Sequence, residues 1–187
     1  EKDTIENLYN ISTTLEKDSI RYNWPNDIPF LKLMGESKRF KDLVISDFGY
    51  ILDKEEENQF AAITIHLEEG IDYISYRGTD STFIGWKEDF YMSFKSHINS
   101  QKSAKKYLEE IADKYQDHKF ILGGHSKGGN IAIYAAAFSR DDIKNRILSI
   151  VNYDGPGFMK EVIESKEYNS ILDIITTIVP QNSIIGR

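Results

Sequence analysis

Lys119-Phe120-Ile121-Leu122-Gly123-Gly124-His125-Ser126-Lys127-Gly128-Gly129-Asn130-Ile131-Ala132-Ile133-Tyr134-Ala135-Ala136-Ala137-Phe138 decides how the chain is read. The stretch opens as a short apolar strand and closes as a helix of small side chains, with a serine among glycines between them. A strand that turns into a helix within so few residues strains its backbone at the turn, so the neighbours of that point must lack side chains. Gly124, Gly128 and Gly129 meet this need, and Gly124-His125-Ser126-Lys127-Gly128 fits the G-x-S-x-G elbow with Ser126 as candidate nucleophile. Ser126 then stands at a helix N-terminus, where free N–H groups and the helix dipole favour a developing oxyanion. The backbone N–H of Lys127 is the first candidate donor. A glycine-rich turn without chemistry is the alternative, and the strand before and helix after argue against it.

Outward from the turn, apolar strands alternate with helices. Ile147 to Tyr153 and Ile171 to Val179 read as strands, with a helical Phe158-to-Lys166 segment between them. Ser103 to Tyr115 carries Ala104, Tyr107, Leu108, Ile111 and Ala112 at helical spacing. Strand, helix, strand, helix, strand implies right-handed parallel crossovers, and nearly continuous apolar strands imply helices on both faces of the sheet. Phe60 to Leu67 and Ile71 to Tyr76, separated by Glu68-Glu69-Gly70, read as an antiparallel hairpin. Phe83 to Ser93 suits a helix, with Trp86 read as core. Two weak helical stretches precede these, joined by a turn-rich Tyr22-Asn23-Trp24-Pro25-Asn26-Asp27.

A tetrahedral acyl intermediate needs a second donor, and Tyr76-Arg77-Gly78-Thr79-Asp80 closes the strand that would supply it. Tyr76-Arg77-Gly78-Thr79-Asp80-Ser81, followed by Trp86 and Asp89, resembles the F-R-G-[ST]-x-S…W…D segment of the fungal-type, class 3 lipases. Gly124-His125-Ser126-Lys127-Gly128-Gly129 similarly resembles their G-H-S-L-G-G, and together the motifs anchor a likeness from about Phe60 to Tyr153. Lys127, Asn130 and the later Asp154-Gly155-Pro156-Gly157 look still more like a bacterial family of lipase-like proteins marked by G-H-S-K-G-G-N and D-G-P-G. The resemblance implies an α/β-hydrolase fold, with Thr79 giving its backbone N–H to the oxyanion hole and Arg77 and Asp89 forming a structural ion pair.

A triad also needs an acid and a histidine, which follow the serine in this fold. The lipases begin a D-I-V-P segment with their aspartate, whereas Ser183-Ile184-Ile185-Gly186 has serine in that place. Asp154, at the end of the Ile147-to-Tyr153 strand, is the remaining candidate acid; as a turn aspartate before Gly155-Pro156-Gly157 it would have no catalytic part. His66, His97, His118 and His125 all precede Ser126, so the base is expected beyond Arg187 and the chain is expected to lack the C-terminal part of its domain.

Composition bounds the rest. With 187 residues and 40% hydrophobic content, the chain can bury one substantial core, so a single domain is expected. The absence of cysteine excludes disulfides, a thiol nucleophile and thiolate metal sites, and no cofactor is expected. A formal charge of -7 argues against nucleic acid. No apolar run is long enough for a transmembrane segment, and the N-terminus lacks a signal-peptide layout, which suggests a cytoplasmic protein. The sequence gives no sign of oligomeric state. The expected function is serine ester hydrolysis on a small acyl-ester or lipid substrate. A thioesterase or peptidase would use the same nucleophile, and an inactive hydrolase-fold binding module is the reading from another class.

Overall fold

The computed structural model describes residues 2–14, 27–80 and 83–183. Most of the turn expected at Tyr22 to Asp27 lies outside them. Seven strands form one sheet in chain order: β1 (Lys2–Thr4), β2 (Val44–Asp53), β3 (Asn58–Glu68), β4 (Ile71–Tyr76), β5 (Lys119–His125), β6 (Ile147–Tyr153) and β7 (Ile175–Ile178). Neighbours from β1 to β4 pair antiparallel, and neighbours from β4 to β7 pair parallel. The hairpin expected from Phe60 is therefore present as β3 and β4, extended outward by β2 and β1.

Helices α1 (Ile5–Thr14) and α2 (Asp27–Glu36) precede β2, α3 (Phe83–Met92) and α4 (Asn99–Lys114) join β4 to β5, and α5 (Lys127–Phe138) and α6 (Asp141–Lys144) join β5 to β6. The core lies between the sheet and α4 and α5. Ile74 and Tyr76 of β4, Phe120 and Leu122 of β5, and Ile150 of β6 point into it, against Leu108 and Ile111 of α4 and Ile131 and Ala135 of α5. Each fully buried leucine or isoleucine there contributes about 1.5–3 kcal/mol. Because α5 is buried on every side, only small and apolar side chains suit most of its length.

Helices on both faces are found only in part. Right-handed crossovers between strands that follow one another without reversal all fall on the same face. Accordingly α4 and α5 pack together on one side. On the other, Leu8 and Ile11 of α1 line a hollow with Ile45 and Phe48, while Tyr73, Ser75, Ile121 and Val151 are half-buried. The helix expected from Phe158 is two single turns, α7 (Lys160–Ile163) and α8 (Lys166–Asn169). The last strand shortens to β7 behind a 3-10 turn, Leu172–Ile174, and Thr176, Thr177 and Ile178 are exposed.

At the N-terminal ends of β4 and β5 the fully buried Asp72 binds two imidazoles. Its Oδ1 lies 2.6 Å from His66 Nδ1 and its Oδ2 lies 2.7 Å from His118 Nδ1. Truncating Asp72 leaves both partly buried ring nitrogens without this partner, at a cost of up to about 1–3 kcal/mol for the pair. Asp72→Ala should therefore lower Tm by several degrees in thermal unfolding followed by circular dichroism. An unchanged Tm would show the clamp to be energetically idle.

Candidate active site

The sharpest backbone feature lies between β5 and α5. Ser126 has φ 55° and ψ -130°, a region that non-glycine residues occupy only when the surroundings impose it. The surroundings do so through close backbone packing. A Cβ on Gly124 would lie 2.5 Å from both the Tyr76 carbonyl oxygen and the Gly128 carbonyl carbon, and one on Gly128 would overlap that same Tyr76 oxygen. The Ser126 N–H donates to Tyr153 O at 2.8 Å, fixing the turn to the end of β6. The serine therefore sits at the C-terminal edge of the parallel strands, where groups from several loops converge.

Thr79 and its loop are brought to this edge. A Cβ on Gly78 would lie 3.6 Å from the Ser126 Cβ, so the loop passes within van der Waals reach of the serine. Thr79 Oγ1 donates to Asp89 Oδ1 at 2.6 Å. Burial raises the Asp89 carboxyl above its ordinary value, while the Thr79 bond and the Lys127 charge pull the other way. The expected Arg77 and Asp89 ion pair is not formed: Arg77 Nη2 meets Asp80 Oδ2 at 3.2 Å, because Asp89 is turned to the threonine. Trp86 also departs from expectation. It is 68% exposed, in an outward stripe with Phe83 at 81% and Phe90 at 68%, because α3 turns its polar Glu88 inward instead.

Lys127, the first residue of α5, holds the largest surprise, since its side chain is fully buried. Its Nζ donates to Gln59 O at 2.8 Å, Gln59 Oε1 at 2.5 Å and Glu88 Oε2 at 2.9 Å. Glu88 also accepts from the backbone N–H of Gln59 at 3.0 Å and of Ser100 at 2.9 Å. Burial pushes the Lys127 ammonium below its ordinary value, opposed by the carboxylates of Glu88, Asp89 and Asp80. One turn on, Asn130 Oδ1 accepts from Gln101 Nε2 at 2.8 Å, and its Nδ2 donates to Pro156 O at 2.9 Å. A lysine on a helix apolar all round was the one sequence signal for this network, because such a charge must find a buried partner.

Asp154 follows Tyr153, whose carbonyl holds the Ser126 N–H, and it too has positive φ, 53°. Its Oδ1 accepts from the Ser183 hydroxyl, so the loops after β6 and β7 meet and bring Asp154 to Ser183. The histidines lie elsewhere or face outward. Asp72 and Tyr76 are four residues apart on β4, so the His66, Asp72 and His118 cluster stands about 13 Å along the strands from the turn. His66 Nε2 meets Ser46 Oγ at 2.8 Å, completing a triad-like order, but Ser46 is buried and donates to Asp47 Oδ2 at 2.7 Å. That serine presents no nucleophile. His97 Nδ1 pairs with Tyr134 OH at 3.0 Å, and His125 is exposed.

The chain is similar in fold to solved lipase structures. It is similar to a fungal lipase in an inhibitor complex at 15% identity and TM-score 0.56, covering 75% of this chain and 58% of that one. Lipase II from Rhizopus niveus shares 16% identity at TM-score 0.53, over 78% and 60% of the two chains. The Rhizomucor miehei lipase in its propeptide complex shares 15% at TM-score 0.52, over 76% and 50%. The fold is thus a lipase-like α/β fold, and the chain spans 50% to 60% of the lengths of these lipases. No curated protein matches the chain. The Mbeg1-like family model matches residues 34–187, and the chain belongs to that family. Among the described residues, no helix is long and apolar enough to cross a membrane.

The glycine packing gives a direct test. Gly128→Ala forces a methyl group against the Tyr76 carbonyl, which is backbone and cannot swing aside. Overpacking of this kind costs about 1–3 kcal/mol, so Tm should fall by several degrees. A variant as stable as the wild type would mean that the turn is looser than described.

Proposed function

We propose that the protein is a serine ester hydrolase acting through an acyl-Ser126 intermediate. The observation that carries this reading is the strained Ser126 at the N-terminus of α5, with the Gly78 and Thr79 loop against it. Ser126 Oγ attacks the ester carbonyl carbon and its proton passes to a base. The backbone N–H groups of Lys127 and Thr79 hold the resulting oxyanion. The intermediate collapses, the C–O bond to the alcohol breaks and the base protonates the leaving oxygen. Water then attacks the acyl-enzyme, its proton going to the same base, and the acid is released. Asp154 is the proposed acid, orienting the base and stabilising its protonated form.

The base is proposed to be a histidine outside residues 1–187. The His66, Asp72 and His118 cluster stands about 13 Å along the strands from Ser126, His97 is held by Tyr134, and His125 is exposed and precedes the serine in the chain. The exposed stripe of Phe83, Trp86 and Phe90, on the helix that follows the Thr79 loop, favours an acyl-ester or lipid substrate over a small polar one. A cleft of about 500 Å³ beside it is lined by Leu52, Phe83 and Ile84 together with Lys54, Glu57 and Lys87.

Intact-mass analysis with a fluorophosphonate probe tests the nucleophile. The full natural protein should gain one adduct, and Ser126→Ala should gain none. Equal labelling of the two would remove Ser126 from the role. A wild type that is never labelled would leave the fold as a binding module instead.

Thr79→Pro deletes the second proposed donor N–H. Loss of one oxyanion donor costs about 10²–10³ in kcat, because the contact is made chiefly in the transition state. On a p-nitrophenyl ester, kcat should fall far more than KM rises. A folded variant altered only in KM would exclude Thr79 from the oxyanion hole.

A further inference from the structure

Lys127 and Glu88 form a fully buried ion pair inside a core that an uncharged side chain could fill. Removing two charges from water costs several kcal/mol for each ion, and apolar replacements of buried pairs are often neutral or stabilising. Net stability is therefore a weak explanation for this pair. Its position offers a better one. Lys127 is covalently next to Ser126, and Glu88 is covalently next to Asp89, which accepts the Thr79 hydroxyl at 2.6 Å. A continuous path thus runs from the elbow through Lys127 Nζ and Glu88 Oε2 to α3, and from Asp89 to the Thr79 loop.

The same junction is tightly packed. A Cβ on Gly85 of α3 would lie 2.9 Å from Thr79 Cγ2 and 3.2 Å from Gln59 Oε1, the oxygen that also receives the Lys127 ammonium. Apart from Lys87, which pairs with Glu57, and Tyr91, which packs against the core, helix α3 has few inward contacts: Phe83, Trp86 and Phe90 face outward, and only Gly85, Glu88 and Met92 are buried. Glu88 is the one fully buried side chain on the helix that reaches three separate segments: β3 at Gln59, α4 at Ser100 and α5 at Lys127.

We propose that the Lys127–Glu88 pair is a positioning device of the acyl-transfer site, holding α3 so that Asp89 keeps the Thr79 loop at its distance from Ser126. This role rests on the hydrolase reading given above. Lys127 and Glu88 touch no reacting atom through their side chains, and the Lys127 backbone N–H is unaffected by replacing the side chain. A polar pair suits the task because its hydrogen bonds have direction, which an apolar contact lacks.

The test compares wild type, Lys127→Met/Glu88→Gln and Asp89→Ala in the full natural protein. Thermal unfolding, fluorophosphonate labelling rate, and kcat and KM on p-nitrophenyl butyrate are measured for each. The double variant removes both charges together, so no lone charge is left buried. Misplacement by about 1 Å at a site of this kind lowers the rate on the order of 10²-fold. Both variants should show that loss in kcat and labelling, with KM changed by less than about threefold, since the lost geometry matters chiefly in the transition state. A purely structural pair would move Tm and leave the rate of the folded fraction alone.

Wild-type rates in a folded double variant overturn the positioning role. If the double variant does not fold, Glu88→Gln alone, which keeps the side-chain shape and removes its charge from the pair, carries the test: wild-type labelling there overturns the role, and a loss confined to kcat supports it. A wild type that the probe fails to label at Ser126 overturns the hydrolase reading, and the positioning role with it, before either variant is compared.

Discussion

The structure turns on the close approach of three backbones, those of β4, β5 and the first turn of α5. Gly124 and Gly128 face the Tyr76 carbonyl with no room for a methyl group, and the strand-to-helix reversal closes only because neither carries one. This packing places Ser126 at φ 55° and sets the N-terminus of α5 beside the Gly78 loop. Backbone atoms define the squeeze on all sides, so side-chain rotation cannot relieve it. The strain at the serine is held by this backbone packing together with the bond from the Ser126 N–H to Tyr153 O.

That constraint was legible because glycine is where a steric requirement leaves a direct mark on sequence. The strands β3 to β6 and helices α4 and α5 were legible for a similar reason, since their apolar spacing is set by one continuous core. β2 was not. Its register shifts between Ser46 and Gly49, which breaks the alternation, and its Phe48 and Tyr50 point to a sparsely covered face. Trp86 shows the limit from the other side: an aromatic residue at helical spacing marks a stripe but not the direction in which the stripe points. On α3 the direction is decided by Glu88, whose partners lie 29 and 39 residues away in the chain at Gln59 and Lys127.

The candidate site divides along the same line. Ser126, Thr79 and the Lys127 backbone were readable from local pattern, and the structure brings the three to one edge of the sheet. The Lys127 side chain was readable only as a charge in need of a partner on an apolar helix, because the carboxylate that meets it belongs to another element. Asp154 lies between these cases. Its position at the end of β6 follows from strand order, whereas its contact with Ser183 depends on how far the loop after β7 folds back.

The first turn of α5 then acts as more than a source of backbone N–H groups. Lys127 reaches toward β3 and α3, on the side of Thr79, while Asn130, three residues on and so on the same helix face, reaches Gln101 of α4 and the carbonyls of Pro156 and Gly157. The two side chains tie β3 and α3, and α4 and the Pro156–Gly157 loop, to the helix that Ser126 begins. The Asn152 side chain adds a third tie, accepting from the Gly155 N–H at 3.0 Å where the Asp154 loop turns. Hydrogen bonds serve here because each loop must be held at one distance and angle, and van der Waals contact alone would let a short loop slide. The lysine and asparagine of the Gly-His-Ser-Lys-Gly-Gly-Asn segment and the later Asp-Gly-Pro-Gly are thereby parts of one hydrogen-bonded arrangement around the turn at Ser126.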